Sequence, residues 1–173
     1  MKKFYMMVLF IIGFLFSNMK IGYINADKIL AELDDVRQVQ IELEKEQRKI
    51  EAEYQNLQLE LDSLYQSYDR QKMLMSEERR IKYENTIKSK EANLQKFQVE
   101  KVGPQGEIYQ IHDRLMQPIY TKVDNVIQKV GKEKGYDYIF NVVSGGIVYA
   151  LPQNDLTQDI IDALQKLDDI ENE

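Results

Sequence analysis

The chain has 173 residues, enough for one domain, and 30% of them are charged, so much of its surface must stay in contact with water. Its formal net charge of −6 disfavours nucleic acid as the main partner. It contains no cysteine, which excludes disulfides, thiolate metal sites and lipid attachment at cysteine.

The first residues have the pattern of a secretory signal peptide. Lys2 and Lys3 precede an apolar run from Phe4 to Phe16, as a charged n-region precedes an h-region. The run is shorter than the roughly 20 apolar residues that a membrane-spanning helix needs. Ser17 is a small residue at a suitable cleavage position, and an uncleaved N-terminal anchor is the alternative. We therefore predict an exported protein with residues 1–18 as its signal peptide.

A short strand is followed by a very long helical segment. Residues 20–25, KIGYIN, predict a strand in a body segment 19–27, and Asp27 suits the N-cap of the next helix. From Tyr23 to Val102 the chain holds 80 residues without glycine or proline. These two residues usually mark turns, so the segment predicts helix over almost all of residues 28–102.

Apolar residues in this segment repeat with alternating spacings of three and four, which is typical of a coiled-coil seam. One column of the repeat is Val36, Leu43, Ile50, Leu57 and Leu64. The other column is Leu33, Gln40, Gln47, Tyr54, Leu61 and Tyr68, and its two glutamines weaken the predicted pairing.

The repeat loses its phase after Tyr68, which indicates that the chain reverses. Apolar residues resume two positions out of phase, and Ser76 can cap a second helix. Residues 27–69 carry 12 acids and 5 bases, whereas residues 70–101 carry 9 bases and 5 acids. Antiparallel helices of opposite charge attract each other along their flanks. We therefore predict a helical hairpin, the arm, over residues 28–102 with its turn near residues 73–76. The resumed apolar positions are Tyr83, Ile87, Leu94 and Phe97.

Residues 103–173 predict a more compact body. Gly103, Pro104 and Gly106 interrupt the helical pattern, which then resumes with a strongly apolar face. Pro118 is expected to kink this second helix, and Gly135 is expected to cap its end.

The end of the chain predicts a β-hairpin and a final helix. Apolar residues alternate from Tyr136, Ser144-Gly145-Gly146 suits a turn, and the run 147–151 suits a second strand. Thr157 can cap the last helix. The predicted fold class is α+β, a long antiparallel helical hairpin that projects from a small β-containing body. So small a sheet cannot bury enough apolar surface alone, which predicts oligomerisation without fixing the number of subunits.

The order of these segments resembles the OmpH/Skp family of periplasmic chaperones. KIGYINADKIL precedes the hairpin, and LMQPIYTKV, KEKGYDYIFN, GGIVYALP and DLTQDIIDAL follow it. The resemblance covers essentially the whole mature chain, and the GYDYIFN, IVYA and DLT series is its most specific part. It implies a homotrimer with a β-rich body and three helical tentacles. Such a trimer holds unfolded outer-membrane proteins in a central cavity and prevents their aggregation, with no ATP, cofactor or catalysis.

The chain departs from the best-known family members, which are strongly basic, because here only the tip and the return helix are basic. Client contacts are therefore expected from apolar, tyrosine and basic side chains of the arm and its tip. The candidates are Tyr65, Tyr68, Met73, Leu74, Met75, Arg79, Arg80 and Lys82.

Each group of candidates has a simpler interpretation. The tyrosines suit packing between the helices, and the Met73–Met75 cluster suits either an ordinary apolar turn or contact with varied surfaces, to which methionine adapts. The cluster Arg79-Arg80-x-Lys82 is where lipopolysaccharide or a membrane surface would bind, and a solvated helix face is its alternative.

The sequence is compatible with two functions. The first is the chaperone that the resemblance implies. The second is a structural coiled-coil protein of the cell envelope, anchored by an uncleaved N-terminal segment. An enzyme is not expected, because His112 is the one histidine and no nucleophile, base and acid can be grouped around it.

Overall fold

The computed structural model describes residues 19–171, and the predicted signal peptide lies outside them. The described residues divide into two compact units. The body unit contains residues 19–33 and 121–171, and the arm unit is Asp34–Tyr120. Within residues 19–171, no helix is both long enough and apolar enough to cross a membrane.

The elements of the described residues confirm the predicted α+β class. In chain order they are β1 (Ile21–Ile24), α1 (Ala26–Ala31), α2 (Asp34–Gln71), α3 (Glu77–Val102), α4 (Glu107–Lys134), β2 (Tyr138–Asn141) and α5 (Thr157–Glu171). Short 3-10 helices lie at Lys72–Leu74, Val142–Ser144 and Pro152–Asn154. Helix α4, which contains Pro118, contributes residues to both units.

Helices α2 and α3 form a long antiparallel pair in the arm unit. The ring centroids of Tyr68 and Tyr83 lie 6.0 Å apart, and those of Tyr54 and Phe97 lie 6.4 Å apart. Ile87 is buried, whereas most other positions on the facing sides are half-buried. Two helices alone cannot surround a side chain, so this seam excludes water only in part.

One predicted column of the seam faces inward along the whole of α2, whereas the other column is wrong at Gln40 and Gln47. Gln40 and Gln47 are exposed, whereas Val39 is buried and Glu46 is half-buried. The inward positions alternate by three and four except around Ile50, where two spacings of four follow each other and shift the seam. These positions are 36, 39, 43, 46, 50, 54, 57, 61, 64 and 68.

Side-chain caps set the ends of the helices. Ser76 Oγ accepts from the backbone N–H of Arg79 at 3.4 Å, as predicted. The prediction of Asp27 as an N-cap is wrong, because Asn25 Oδ1 accepts from Lys28 N–H at 3.0 Å and the helix begins two residues earlier. That helix, α1, ends at Ala31, so the long helix of the arm begins at Asp34 and not at residue 28.

Gly135 ends α4 as predicted. Its φ is +66°, a conformation that favours glycine. Its N–H donates to Lys132 O at 3.2 Å, and the N–H of Tyr136 donates to Gly131 O at 2.9 Å. This pair of hydrogen bonds satisfies the last carbonyl groups of the helix.

Strands β1 and β2 form a two-stranded parallel sheet in the body unit. Ile21 lies opposite Tyr138, and Ile24 lies opposite Asn141. On the other side of β1, the N–H of Leu156 donates to Tyr23 O at 2.8 Å. Strand β1 therefore lies between β2 and the residues that precede α5.

The predicted β-hairpin is wrong. Asn141 Oδ1 accepts from Val143 N–H at 3.1 Å and from Ala26 N–H at 3.2 Å, so the chain enters a 3-10 helix where the hairpin strand was expected to continue. Gly145 and Gly146 both have positive φ, but residues 147–151 pair with no strand among the described residues. Strand β2 pairs with β1 and not with residues 147–151.

The core of the body unit consists mainly of side chains from α1, α4 and α5, together with Ile24 of β1 and Leu156 just before α5. Its fully buried members include Ile29, Leu156, Ile160 and Leu164. Thr157, predicted as the cap of α5, is instead its first residue and is 3% exposed. Its Oγ1 accepts from Asn25 N–H at 3.0 Å, so this hydroxyl joins α5 to the turn after β1.

Candidate functional site

The tip of the arm exposes apolar side chains. Lys72–Leu74 form a 3-10 helix between α2 and α3, and Met73 and Leu74 are 88% and 90% exposed. Met75 is half-buried. A tight turn between two helices has no neighbouring element to cover it, which leaves these side chains in water. The tip therefore presents two flexible apolar side chains to whatever approaches the end of the arm.

The basic candidates lie in the first two turns of α3, and they differ in whether an acidic side chain forms an ion pair with them. Arg80 is paired with Glu77 at 2.6 Å and lies 3.9 Å from Glu84. Arg79 and Lys82 are exposed and have no ion-pair partner among the residues that the structure describes. Of the predicted basic cluster, these two side chains are therefore the ones available to an anionic partner.

The two tyrosine candidates bond to the opposite helix. The hydroxyl of Tyr65 donates to Glu91, and that of Tyr68 donates to Glu84. The hydrogen bond to each carboxylate raises the pKa of each tyrosine above its usual value, with burial as a smaller cause. These contacts make the tyrosines part of the seam, although the ring of Tyr65 is still partly exposed.

An apolar groove on the arm was not predicted from the sequence. It has a volume of about 430 Å³, and its lining includes Ile50, Tyr54, Phe97, Val99, Val102 and Gly103. Ile50 is buried, whereas Val99 and Val102 are exposed. The sequence does contain a pattern that could have predicted this groove. Val99 and Val102 are one helical turn apart at the end of α3, where the helix stops.

A second unpredicted feature is an apolar segment without a strand partner in the body unit. Val148 and Tyr149 are almost fully exposed in the run 147–151. The rings of Tyr138 and Phe140 of β2 stack with their centroids 6.3 Å apart and are also exposed. The body unit therefore presents both apolar surface and unpaired backbone.

The tip and the groove are surfaces for contact with a partner. In the part of the chain that the structure describes, no group of histidine, aspartate and glutamate side chains could hold a metal ion. His112 contacts its neighbour Asp113 at 3.1 Å and is partly exposed.

A comparison with protein families decides the relationship that the sequence motifs suggest. The family model described as outer membrane protein (OmpH-like) matches residues 20–164, which belong to both units. The chain belongs to the OmpH family. The matched region contains the whole arm and most of the body, so membership does not rest on the coiled-coil pattern alone.

Two relatives of this OmpH-family chain cover most of its length. A Skp-like protein of Pseudomonas aeruginosa is 27% identical over 153 residues, which are 88% of each chain. The chaperone protein Skp of Yersinia enterocolitica is 25% identical over 147 residues, with 82% of this chain and 84% of the relative covered.

A solved structure has the same fold. The crystal structure of an OmpH-like chain from Caulobacter crescentus matches with a TM-score of 0.71 and covers 87% of this chain and 86% of its own. The two sequences are 16% identical, so the match concerns the fold alone.

Proposed function

We propose that this OmpH-family chain is a periplasmic holdase chaperone that binds unfolded outer-membrane proteins and prevents their aggregation without ATP. The observation that carries the proposal is the arm, a long and thin hairpin with large apolar side chains in water. Met73 and Leu74 at its tip are the most exposed of them along the arm. Such exposure is unfavourable in a free monomer and is expected where a protein contacts partners. The relatives named Skp support the same function.

The arm suits clients without a fixed shape. Its seam buries few side chains, so the two helices can adjust to different partners at low cost. Contacts spread along such a surface are individually weak and tolerate many sequences, which is what holding an unfolded chain requires. We infer that the arm and its tip carry the client contacts, with Met73, Leu74, Met75, Arg79 and Lys82 at the end and the exposed edge of Tyr65 beside the seam. Tyr68 and Arg80 are each bonded to a glutamate, and client contact would involve the parts of their side chains that these glutamates do not cover.

A homotrimer is part of the proposal. The segment 147–151 is apolar and has no strand partner within residues 19–171, and β2 of the same unit exposes Tyr138 and Phe140. An exposed apolar strand edge favours pairing with another chain. Pairing between copies would cover this surface, enlarge the small sheet, and place three arms around a common cavity. Light scattering of the mature protein should give the mass of three chains, and a monomer mass at micromolar concentration would contradict this part.

The test of holdase activity is the suppression of aggregation. An outer-membrane barrel protein is diluted from urea with and without this protein, and turbidity is followed over time. We expect suppression near one trimer per client, with no nucleotide added. If a several-fold excess of this protein leaves the turbidity of the diluted client unchanged, the proposed function is contradicted.

The tip contacts have a matched test. Met73→Ser with Leu74→Ser removes two exposed apolar side chains from the tip, and Ile41→Ser with Leu59→Ser removes two exposed ones from α2. We expect the tip pair to weaken client capture more, whereas equal effects would remove the special role of the tip. A separate test compares the unmodified protein with an Arg79→Gln and Lys82→Gln double variant. Binding of each to vesicles with and without lipopolysaccharide shows whether these two cations also bind an anionic membrane surface.

A further inference from the structure

The groove on the arm lies where helix α3 ends while its antiparallel partner α2 continues. Helix α3 stops at Val102, and the chain bends through residues 103–106 before α4 begins at Glu107. Gly103 adds no side chain to the groove, and a Cβ atom there would lie 2.5 Å from Val99 O. The seam of α2 shifts its phase at Ile50, which lines the same groove. The hairpin therefore lacks a side chain at this level that would fill the space.

The lining of the groove suits a large apolar side chain. The rings of Tyr54 and Phe97 stack on each other, and Ile50 is 8% exposed between the helices. Val99 and Val102 remain 66% and 58% exposed. An aromatic or large aliphatic side chain placed here would cover apolar surface that this chain leaves in water.

The charge around the groove is negative. Glu51 is the charged residue of its lining. Its side chain is exposed and accepts a hydrogen bond from the uncharged amide of Gln55 at 2.9 Å. The nearby cation, Lys101, is already paired with Glu107 across the bend. That pairing raises the pKa of Lys101, and the charges of Glu53 and Glu100 raise it further. A cation on the partner would therefore be attracted to this rim.

We propose that this groove binds one large apolar side chain of an unfolded client at a position where lysine or arginine is its neighbour in the sequence. The inference rests on the proposed holdase function and names the client segments that this site takes. Strands of outer-membrane barrels alternate apolar and polar side chains, so apolar residues with polar neighbours are what such a client offers. The carboxylate of Glu51 selects the segments in which the polar neighbour is basic. Segments with acidic neighbours are repelled from the same rim.

Photo-crosslinking tests where the client lies. A photoreactive phenylalanine analogue replaces either Val99 or, as the control, Ala92, and an unfolded eight-stranded barrel protein is added by dilution from urea. Ala92 precedes Val99 by seven residues, or about two helical turns, so the two side chains leave α3 in nearly the same direction. Ala92 is also exposed but lies outside both the groove and the tip. We expect several-fold more client crosslinked at 99 than at 92, through peptides in which lysine or arginine adjoins a large apolar residue.

Two results would overturn the assignment. Equal crosslinking at both positions, or crosslinked peptides without enrichment of basic neighbours, removes the groove as a selective site. Crosslinks to a second copy of this chain would make it a subunit contact instead. Each protein also enters the turbidity assay. Suppression of aggregation without crosslinks at 99 removes only this inference, whereas no suppression by the unmodified protein removes the proposed function itself.

Charge variants test the rim separately. Glu51→Gln removes the carboxylate that lines the groove, and Glu42→Gln removes an exposed carboxylate of the same helix outside the lining. We expect the first change to weaken binding of the fluorescently labelled unfolded barrel protein by about two- to fourfold at low salt, and the control change to alter it little. Equal changes for both variants would show that only the net charge of the arm matters and would overturn the selection of basic neighbours.

Discussion

The backbone N–H of Asn25 donates a 3.0 Å hydrogen bond to Oγ1 of Thr157, a residue 132 positions further along the chain. The same hydroxyl donates to Asp155, so one side chain connects the turn after β1, the approach to α5 and α5 itself. Because Thr157 is buried, water cannot replace these bonds.

Thr157→Val should therefore destabilise the body unit. The change keeps the shape of the side chain but leaves the Asn25 N–H without its acceptor, which typically costs about 1–3 kcal/mol. Urea unfolding followed by circular dichroism measures this difference. Thr86→Val is the control, because Thr86 is an exposed helical residue whose hydroxyl bonds to Lys82 O in its own helix. A Thr157 variant as stable as that control would contradict the role given to this hydroxyl.

Ile87 is expected to be a main anchor of the arm seam. It is 5% exposed, whereas Ile81 on the same helix is 48% exposed. Ile87→Ala should lower the free energy of unfolding of the hairpin by about 2–4 kcal/mol, and Ile81→Ala should change it by at most about 0.5 kcal/mol. Thermal unfolding followed by the helical signal compares the two variants. Similar losses for both would mean that helix propensity, and not packing in the seam, holds α3 in place.

The arm should lose stability in alkaline solution. The bonds to Glu91 and Glu84 raise the pKa of Tyr65 and Tyr68 in the folded state, whereas an unfolded tyrosine titrates near about pH 10. Their contribution is fully present below that pH and is lost as the pH rises through the raised folded values. The melting temperature of a Tyr65→Phe and Tyr68→Phe variant should therefore lie below that of the unmodified protein at pH 8, and the difference should shrink at higher pH.

Tyr109→Phe is the control for the alkaline titration. The Tyr109 ring is exposed, and its hydroxyl has no hydrogen-bond partner in the described part of the chain. Its removal should leave the pH profile unchanged. A profile of the double tyrosine variant that stays parallel to that of the unmodified protein would contradict the role of the two tyrosine–glutamate bonds.

Removal of residues 54–97 should separate holding from folding. The stacked rings of Tyr54 and Phe97 place the two cut ends on neighbouring helices, so a linker of about four residues can join them. We expect the shortened chain to stay folded and oligomeric but to lose suppression of aggregation. Circular dichroism, light scattering and the turbidity assay measure the three properties. Failure of the shortened chain to fold would mean that the body depends on the arm.

The sequence predicted the features of the arm that depend on neighbouring residues. The absence of glycine and proline indicated long helices, the loss of phase after Tyr68 indicated the reversal, and Ser76 and Gly135 were recognised as caps. Each of these depends on contacts within a few residues, where the chemistry of a side chain largely decides the backbone conformation.

The errors have a common physical origin in contacts between distant residues. Strand β2 pairs with β1 across more than a hundred residues, and alternation within residues 136–151 carries no information about that partner. Val39, and not Gln40, faces inward because α2 shifts its phase at Ile50, near the level where α3 ends. Thr157 was correctly placed near the start of α5, but its hydroxyl bonds to a distant backbone group instead of capping the helix.

The sequence by itself determined the hairpin, its turn, the family resemblance and the exposed apolar residues of the tip. Periodicity and capping suffice for these features because they act over one or two helical turns. Only the tertiary structure decided the parallel pairing of β1 with β2, the unpaired segment 147–151 and the groove between Tyr54, Phe97 and Val99. Each of these depends on which surfaces meet and where one element ends beside another, and local side-chain preferences do not contain that information.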